Sequence, residues 1–250
     1  MSWRTRDLVA IATIVGALLT VAVSLDPSVR LSFDARELRT AMETAQALIA
    51  ATVAYLIYGR VKRSRSLNDL AIVFGLGLLA ASNLFFAAIP SRLDSELVFH
   101  VWAPLVNRTL ACLAFAAAAL LPDRRLPARL QRPGVAVVVA TDVVLTAVAL
   151  SVAALSSALP QGVTILGDTV GTPDLHGHPM LIAGLVAMAV LSLAASYGFA
   201  RRADGRRDPL TSALAVGMVL TAFSFVCFAL YPSIDTEIVQ SGDALRLGFY

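Results

Sequence analysis

Of 250 residues, 58% are hydrophobic and only 15% charged; the mean hydropathy is +0.76 and the formal net charge +3. That composition excludes a water-soluble domain of ordinary make-up, and with it disulfide scaffolds, nucleic-acid modules and soluble enzymes; it directs the chain to a bilayer. A spanning helix takes roughly 20 residues, so seven of them use about 140 and leave short loops, with no room for a second soluble domain.

Apolar runs of spanning length occupy 8–25, 38–59, 69–89, 98–121, 134–159, 179–200 and 209–231. Prolines punctuate the breaks, at Pro27, Pro90, Pro122, Pro160, Pro173, Pro209 and Pro232 among others. The expected fold is therefore all-α: a polytopic transmembrane helical bundle of seven spans.

The first run has a basic start, as a signal peptide does, but it is longer than a cleavable core of about 7 to 15 residues and lacks a clear small-residue cleavage site, so it reads as an uncleaved anchor. Arginines alternate from loop to loop. Arg4 and Arg6 precede the first span, and Arg60, Lys62, Arg63 and Arg65 follow the second. Arg124, Arg125, Arg129 and Arg132 follow the fourth, and Arg201, Arg202, Arg206 and Arg207 the sixth. The opposite loops balance Arg30, Arg36 and Arg39 against Asp26, Asp34 and Glu37, and Arg92 against Asp94 and Glu96, or, from Pro160 to His178 and from Pro232 to Gly242, carry no Lys or Arg at all. Because cytoplasmic loops retain Lys and Arg, the N-terminus is expected in the cytoplasm, and the pI near 9.2 mostly records topology. Beyond the seventh span, from about 243, the phrase Asp243-Ala-Leu-Arg-Leu-Gly-Phe-Tyr250 reads as the start of an eighth helix of a longer protein. The 250 residues are expected to form a single membrane domain.

Ionisable side chains inside a bilayer are costly, so each is a site hypothesis. On the fourth span His100, Pro104, Asn107, Arg108 and Ala111 recur on one helical face. Arg108 lies about 15 Å below the outer end of its helix and Asp142 about 12 Å above the inner end of the fifth. Both depths fall near the middle of a hydrocarbon layer of about 30 Å, so an Arg108–Asp142 ion pair is expected. Glu43, followed by Gln46, Ala47, Ala50 and Ala54, and Asn83 fall in the outer half. Glu43, Asn83, His100, Asn107, Arg108 and Asp142 together describe a polar pocket opening outward. Against that stands interhelical bonding alone, which the same residues supply at about a kcal/mol per contact.

His176-Gly177-His178, with Asp168 and Asp174 nearby, lacks the spacing of a firm zinc site and reads as a solvated loop. Cys112 and Cys227 fall within apolar spans and behave as small hydrophobes. Gly77 with Ala81, and Gly217 with Thr221, have the spacing for close helix packing. Phe85, Phe86, Trp102, Tyr197, Phe199 and Tyr231 sit near span ends, as an aromatic belt does. The sole lysine, Lys62, lies in a cytoplasmic loop, which excludes a retinal Schiff base on a late helix. There is no HExxH, GxSxG or Walker pattern, so no catalytic residue, metal site or cofactor is expected within these residues.

Three passages carry a resemblance: Glu43-Thr-Ala-Gln-Ala-Leu-Ile-Ala through Tyr58-Gly-Arg-Val-Lys-Arg-Ser-Arg-Ser-Leu-Asn-Asp-Leu70, then Leu120-Leu-Pro-Asp-Arg-Arg125, and the terminal Asp243–Tyr250 phrase. In these the chain resembles the N-terminal membrane region of actinobacterial two-component sensor histidine kinases, similar in kind to the membrane-associated sensor (MASE) domains. The resemblance implies an input module in a bacterial plasma membrane, whose last helix leads to a cytoplasmic kinase. It also implies membrane lipids as neighbours, a homodimer through the kinase part, a cognate response regulator and no nucleic acid. Two other readings use the same polar residues. A small transporter or permease would line its path with them, and a lipid-directed membrane enzyme would use His100 or Glu43 as base.

Overall fold

The computed structural model describes residues 4–25, 32–34, 36–88, 97–127, 132–166, 174–206, 208–231 and 238–249. Among the described residues, seven helices are long and apolar enough to cross a membrane. They are α1 (Thr5–Leu25), α2 (Arg36–Ser64), α3 (Leu67–Ala81, whose span is carried on to Phe86 by the π-helical turn that follows it), α4 (Leu97–Leu120), α5 (Pro133–Leu155), α6 (Pro179–Arg206) and α7 (Pro209–Leu230). A short eighth, α8, spans Ser241–Leu247. The chain is an all-α multi-pass membrane bundle, and its spans fall where the apolar runs place them.

Local sequence sets the boundaries. Ser66 caps α3 by accepting from the Asp69 amide at 3.3 Å, and Asp208 caps α7 by accepting from Leu210 N at 3.2 Å, just ahead of Pro209 in the first turn. Between α2 and α3 the chain reverses through Arg65, whose φ of 49° is left-handed and unfavourable for a side-chain-bearing residue. Two backbone bonds to the α4–α5 loop hold that turn: Leu67 N to Arg124 O at 2.8 Å and Leu126 N to Arg65 O at 2.7 Å.

The arginine-bearing loops gather at one end, called the inner end below. There Arg60 of α2 pairs with Asp69 of α3 at 3.0 Å and with Asp208 ahead of α7 at 2.5 Å. Arg6 pairs with Asp204 at 2.6 Å, and Arg202 donates to the carbonyls of Ala118, at 2.6 Å, and Leu121. At the other end two small antiparallel ribbons decorate the helices. Strands β1 (Ser32–Asp34) and β4 (Ile238–Gln240) pair through Phe33 and Val239, joining the chain after α1 to the chain after α7. Strands β2 (Val163–Leu166) and β3 (Asp174–Gly177) form the hairpin between α5 and α6, with Thr164 opposite His176.

The expected loop of histidines is thus a hairpin that ends in a helix start. His178 Nδ1 accepts from Met180 N at 3.2 Å. Asp168 lies outside the described residues, and no group of three or more metal-binding side chains occurs among those described.

Small residues set the tightest helix contacts. A Cβ on Gly77 of α3 would stand 3.2 Å from Thr141 Oγ1 of α5, and one on Gly198 of α6 only 2.8 Å from the Ala119 carbonyl oxygen of α4. Cys112 and Cys227 are both buried. The aromatic belt needs correction: Phe86, Trp102 and Phe199 are buried in the helix core, whereas Phe85 and Tyr197 face outward. Trp102 turns inward because its indole N–H donates to Pro160 O at 2.9 Å, which satisfies its polar edge.

Candidate functional site: a buried charge network at Glu43

Helix α2 buries one stripe, Glu43, Gln46, Ala47, Ala50, Ala54, Ile57 and Val61, at spacings of three and four. The small alanines below Glu43 let α3 and its neighbours approach closely, while Glu43 and Gln46 lie near the outer part of that stripe. Glu43, seven residues from the start of α2, is about 10 Å below its outer end and only 1% exposed.

What meets it comes from both the middle and the end of the chain. Gly242 of α8 lies beside Phe228, with its carbonyl accepting from Ser224 Oγ at 2.8 Å, and Phe249 lies against Gly217. As numbers rise along this segment they fall along α7, so the segment runs antiparallel to α7 and into the bundle. Its Arg246 is buried and donates through Nη2 to Glu43 Oε1. The same guanidinium nitrogen lies 3.4 Å from Asp243 Oδ1, and the guanidinium carbon stands 5.8 Å from the centre of the Phe228 ring. From α4, Arg108 Nη2 approaches Glu43 Oε1 at 3.5 Å and donates to Asn83 Oδ1 at 3.3 Å. Asn83 in turn donates to Gln46 Oε1 at 3.4 Å. Two carboxylates and two guanidiniums therefore neutralise one another, as burial in a low dielectric demands.

Two departures from regular helix flank this network. A π-helical turn, Ser82–Ala88, follows α3 and carries Asn83. Pro104 lies within the continuous helix α4, and lacking an N–H it cannot donate to the His100 carbonyl one turn back. The π-turn alters local helix geometry beside the charges, and such turns recur at functional positions.

Of the sequence-named residues, Glu43, Asn83 and Arg108 meet directly. Asn107 is next to Arg108 but faces α3, donating to Leu78 O at 2.8 Å, and His100 is buried two turns above Arg108 on α4. Asp142 does not join them. The expected Arg108–Asp142 pair is replaced by Arg108–Glu43, because α5 turns Thr141, not Asp142, toward α3 and leaves Asp142 on its exposed side. Sequence reading passes over Arg246 and Asp243, which it places in an eighth helix but not among its site residues. Arg39 it counts as a loop charge; that residue is buried one turn outward of Glu43, on the same face. The signal for all three is their helical spacing, Arg39 to Glu43 at four and Asp243 to Arg246 at three.

Among the described residues, Gln46 Nε2, Ser82 Oγ and Asn107 Oδ1 are buried with no hydrogen-bond partner. Buried polar atoms are ordinarily satisfied, so donors and acceptors remain here for a polar group or water. No family model, characterised protein or solved structure matches this chain.

Proposed function

We propose that this membrane bundle is the input module of a two-component sensor histidine kinase in a bacterial plasma membrane, and that α8 carries the state of the Glu43 network to a cytoplasmic kinase dimer and its response regulator. One observation carries the reading: residues 203 positions apart, Glu43 and Arg246, share a buried charge contact, so the end of the chain is tied electrostatically to the bundle interior. A stimulus that competes for Glu43, by protonating it or by offering Arg246 another anion, weakens the hold on α8. Two packings of one helix then differ by a local charge event, which is how small input-site changes become larger displacements.

The experiment is autophosphorylation of the full gene product in membrane vesicles with labelled ATP. Acid-labile, alkali-stable label is expected, and Glu43→Gln and Arg246→Gln are each expected to change its rate of appearance by about fivefold or more while the protein remains inserted. Absence of label, or label indifferent to both substitutions, contradicts the reading. Substrate uptake by the same vesicles would instead favour a transporter.

A further inference from the structure

Asp142 lies on α5 nine residues from its inner end, about 14 Å up and so close to the midplane of a layer about 30 Å thick. α5 buries the stripe Val137, Thr141, Leu145, Val148 and Val152. One residue further round from Thr141, a turn of about 100°, puts Asp142 on the exposed side. Its neighbours there, Val139 and Val143, are 53% and 60% exposed. An aspartate has a single methylene and cannot reach the headgroups from this depth as a lysine or arginine does. Among the described residues nothing pairs with it. A carboxyl facing hydrocarbon at mid-depth is costly unless another polar group covers it.

Thr146, one turn along, is also exposed. Thr13 and Thr52 on other exposed faces satisfy their hydroxyls on the carbonyl four residues back, both at 2.8 Å. Thr146 has no such bond among the described residues, so its hydroxyl is available to donate. Acceptor and donor therefore stand on one face at i and i+4, where a second α5 related by a two-fold axis along the membrane normal presents the same pair. The exposed row Val135, Val139, Asp142, Thr146 and Leu150 advances by three and four, the period of helices packed in a shallow left-handed crossing. A polar residue within such an apolar row fixes register.

We propose that this face of α5 is a homodimer interface, occupied by α5 of a second copy, with Asp142 and Thr146 hydrogen-bonded across it. It stands independently of the kinase assignment, since it is formed inside the membrane by the bundle itself.

The test is oxidative cross-linking of the full chain in native membranes, in a background without Cys112 and Cys227. Val139→Cys is expected to give a disulfide-linked dimer, whereas Val190→Cys, on the 60% exposed position of α6, is not. Adding Asp142→Leu to Val139→Cys is expected to lower the dimerisation constant about tenfold, while Asp142→Asn, which keeps hydrogen-bonding capacity, retains most of it. A monomer at Val139→Cys, equal yield at Val190→Cys, cross-links only to a different protein, or yield indifferent to Asp142→Leu would each overturn the proposal.

Discussion

At the scale of single residues, opposite charges are placed differently at the two ends of the bundle. Glu43 answers two arginines inside the membrane, where removing either partner leaves a charge stranded, a change of the kind that costs about 3–5 kcal/mol. At the inner end, outside the spans, Asp208 shows the opposing terms plainly. Burial pushes its carboxyl up, but hydrogen bonds from Arg60 and Thr211, the Arg60 charge and the Leu210 amide together hold it below the ordinary carboxylate value. A carboxylate lowered in the folded state adds stability that is present above its unfolded value and lost as pH falls through the folded one. Acidification from neutral pH toward that range is therefore expected to lower the melting temperature of the wild type more than that of Asp208→Asn, which starts lower at neutral pH. Parallel melting curves against pH for the two proteins would contradict this.

At the scale of elements, close approach is set by glycines, but unequally. Gly198 puts α6 against the α4 backbone, since a Cβ there would stand 2.8 Å from both Ala119 Cβ and the Ala119 carbonyl oxygen. A carbonyl on a packed helix cannot step aside as a side-chain tip does, so Gly198→Ala must separate the helices, at a cost of about 1–3 kcal/mol. A Cβ on Gly59 of α2 would meet nothing within 4 Å. Gly59→Ala is expected to be neutral or stabilising by up to about 1 kcal/mol, through helix propensity. Thermal unfolding in detergent compares the two; equal effects would mean that the α4–α6 contact is looser than the Gly198 environment implies.

At the scale of the molecule, the spans are legible in the sequence because a bilayer demands long apolar runs. The first expected span, 8–25, corresponds to Thr5–Leu25, and the seventh, 209–231, to Pro209–Leu230. The amphipathic face of α4 also shows, which is why Arg108 and Asn107 read as inward-facing. Rotation of α5 does not show. It is apolar nearly all round, so no polar side marks which arc is lipid-facing, and Asp142, the one ionisable residue in its span, suggests an inward face that the packing of Thr141 on Gly77 denies. The role of α8 is hidden for a different reason: depth along a helix can be counted, but contact between residues 43 and 246 is a product of tertiary packing alone.

Whether Glu43 holds α8 in place is open to a distance measurement. Spin labels at Leu247 on α8 and Leu113 on α4, both outward-facing, report the separation of the two helices in protein freed of Cys112 and Cys227. A narrow distance distribution is expected with Glu43 present, and a broadened or displaced one with Glu43→Gln. An identical narrow distribution in both proteins would show that α8 keeps its place without the charge, and would contradict the role given to Glu43.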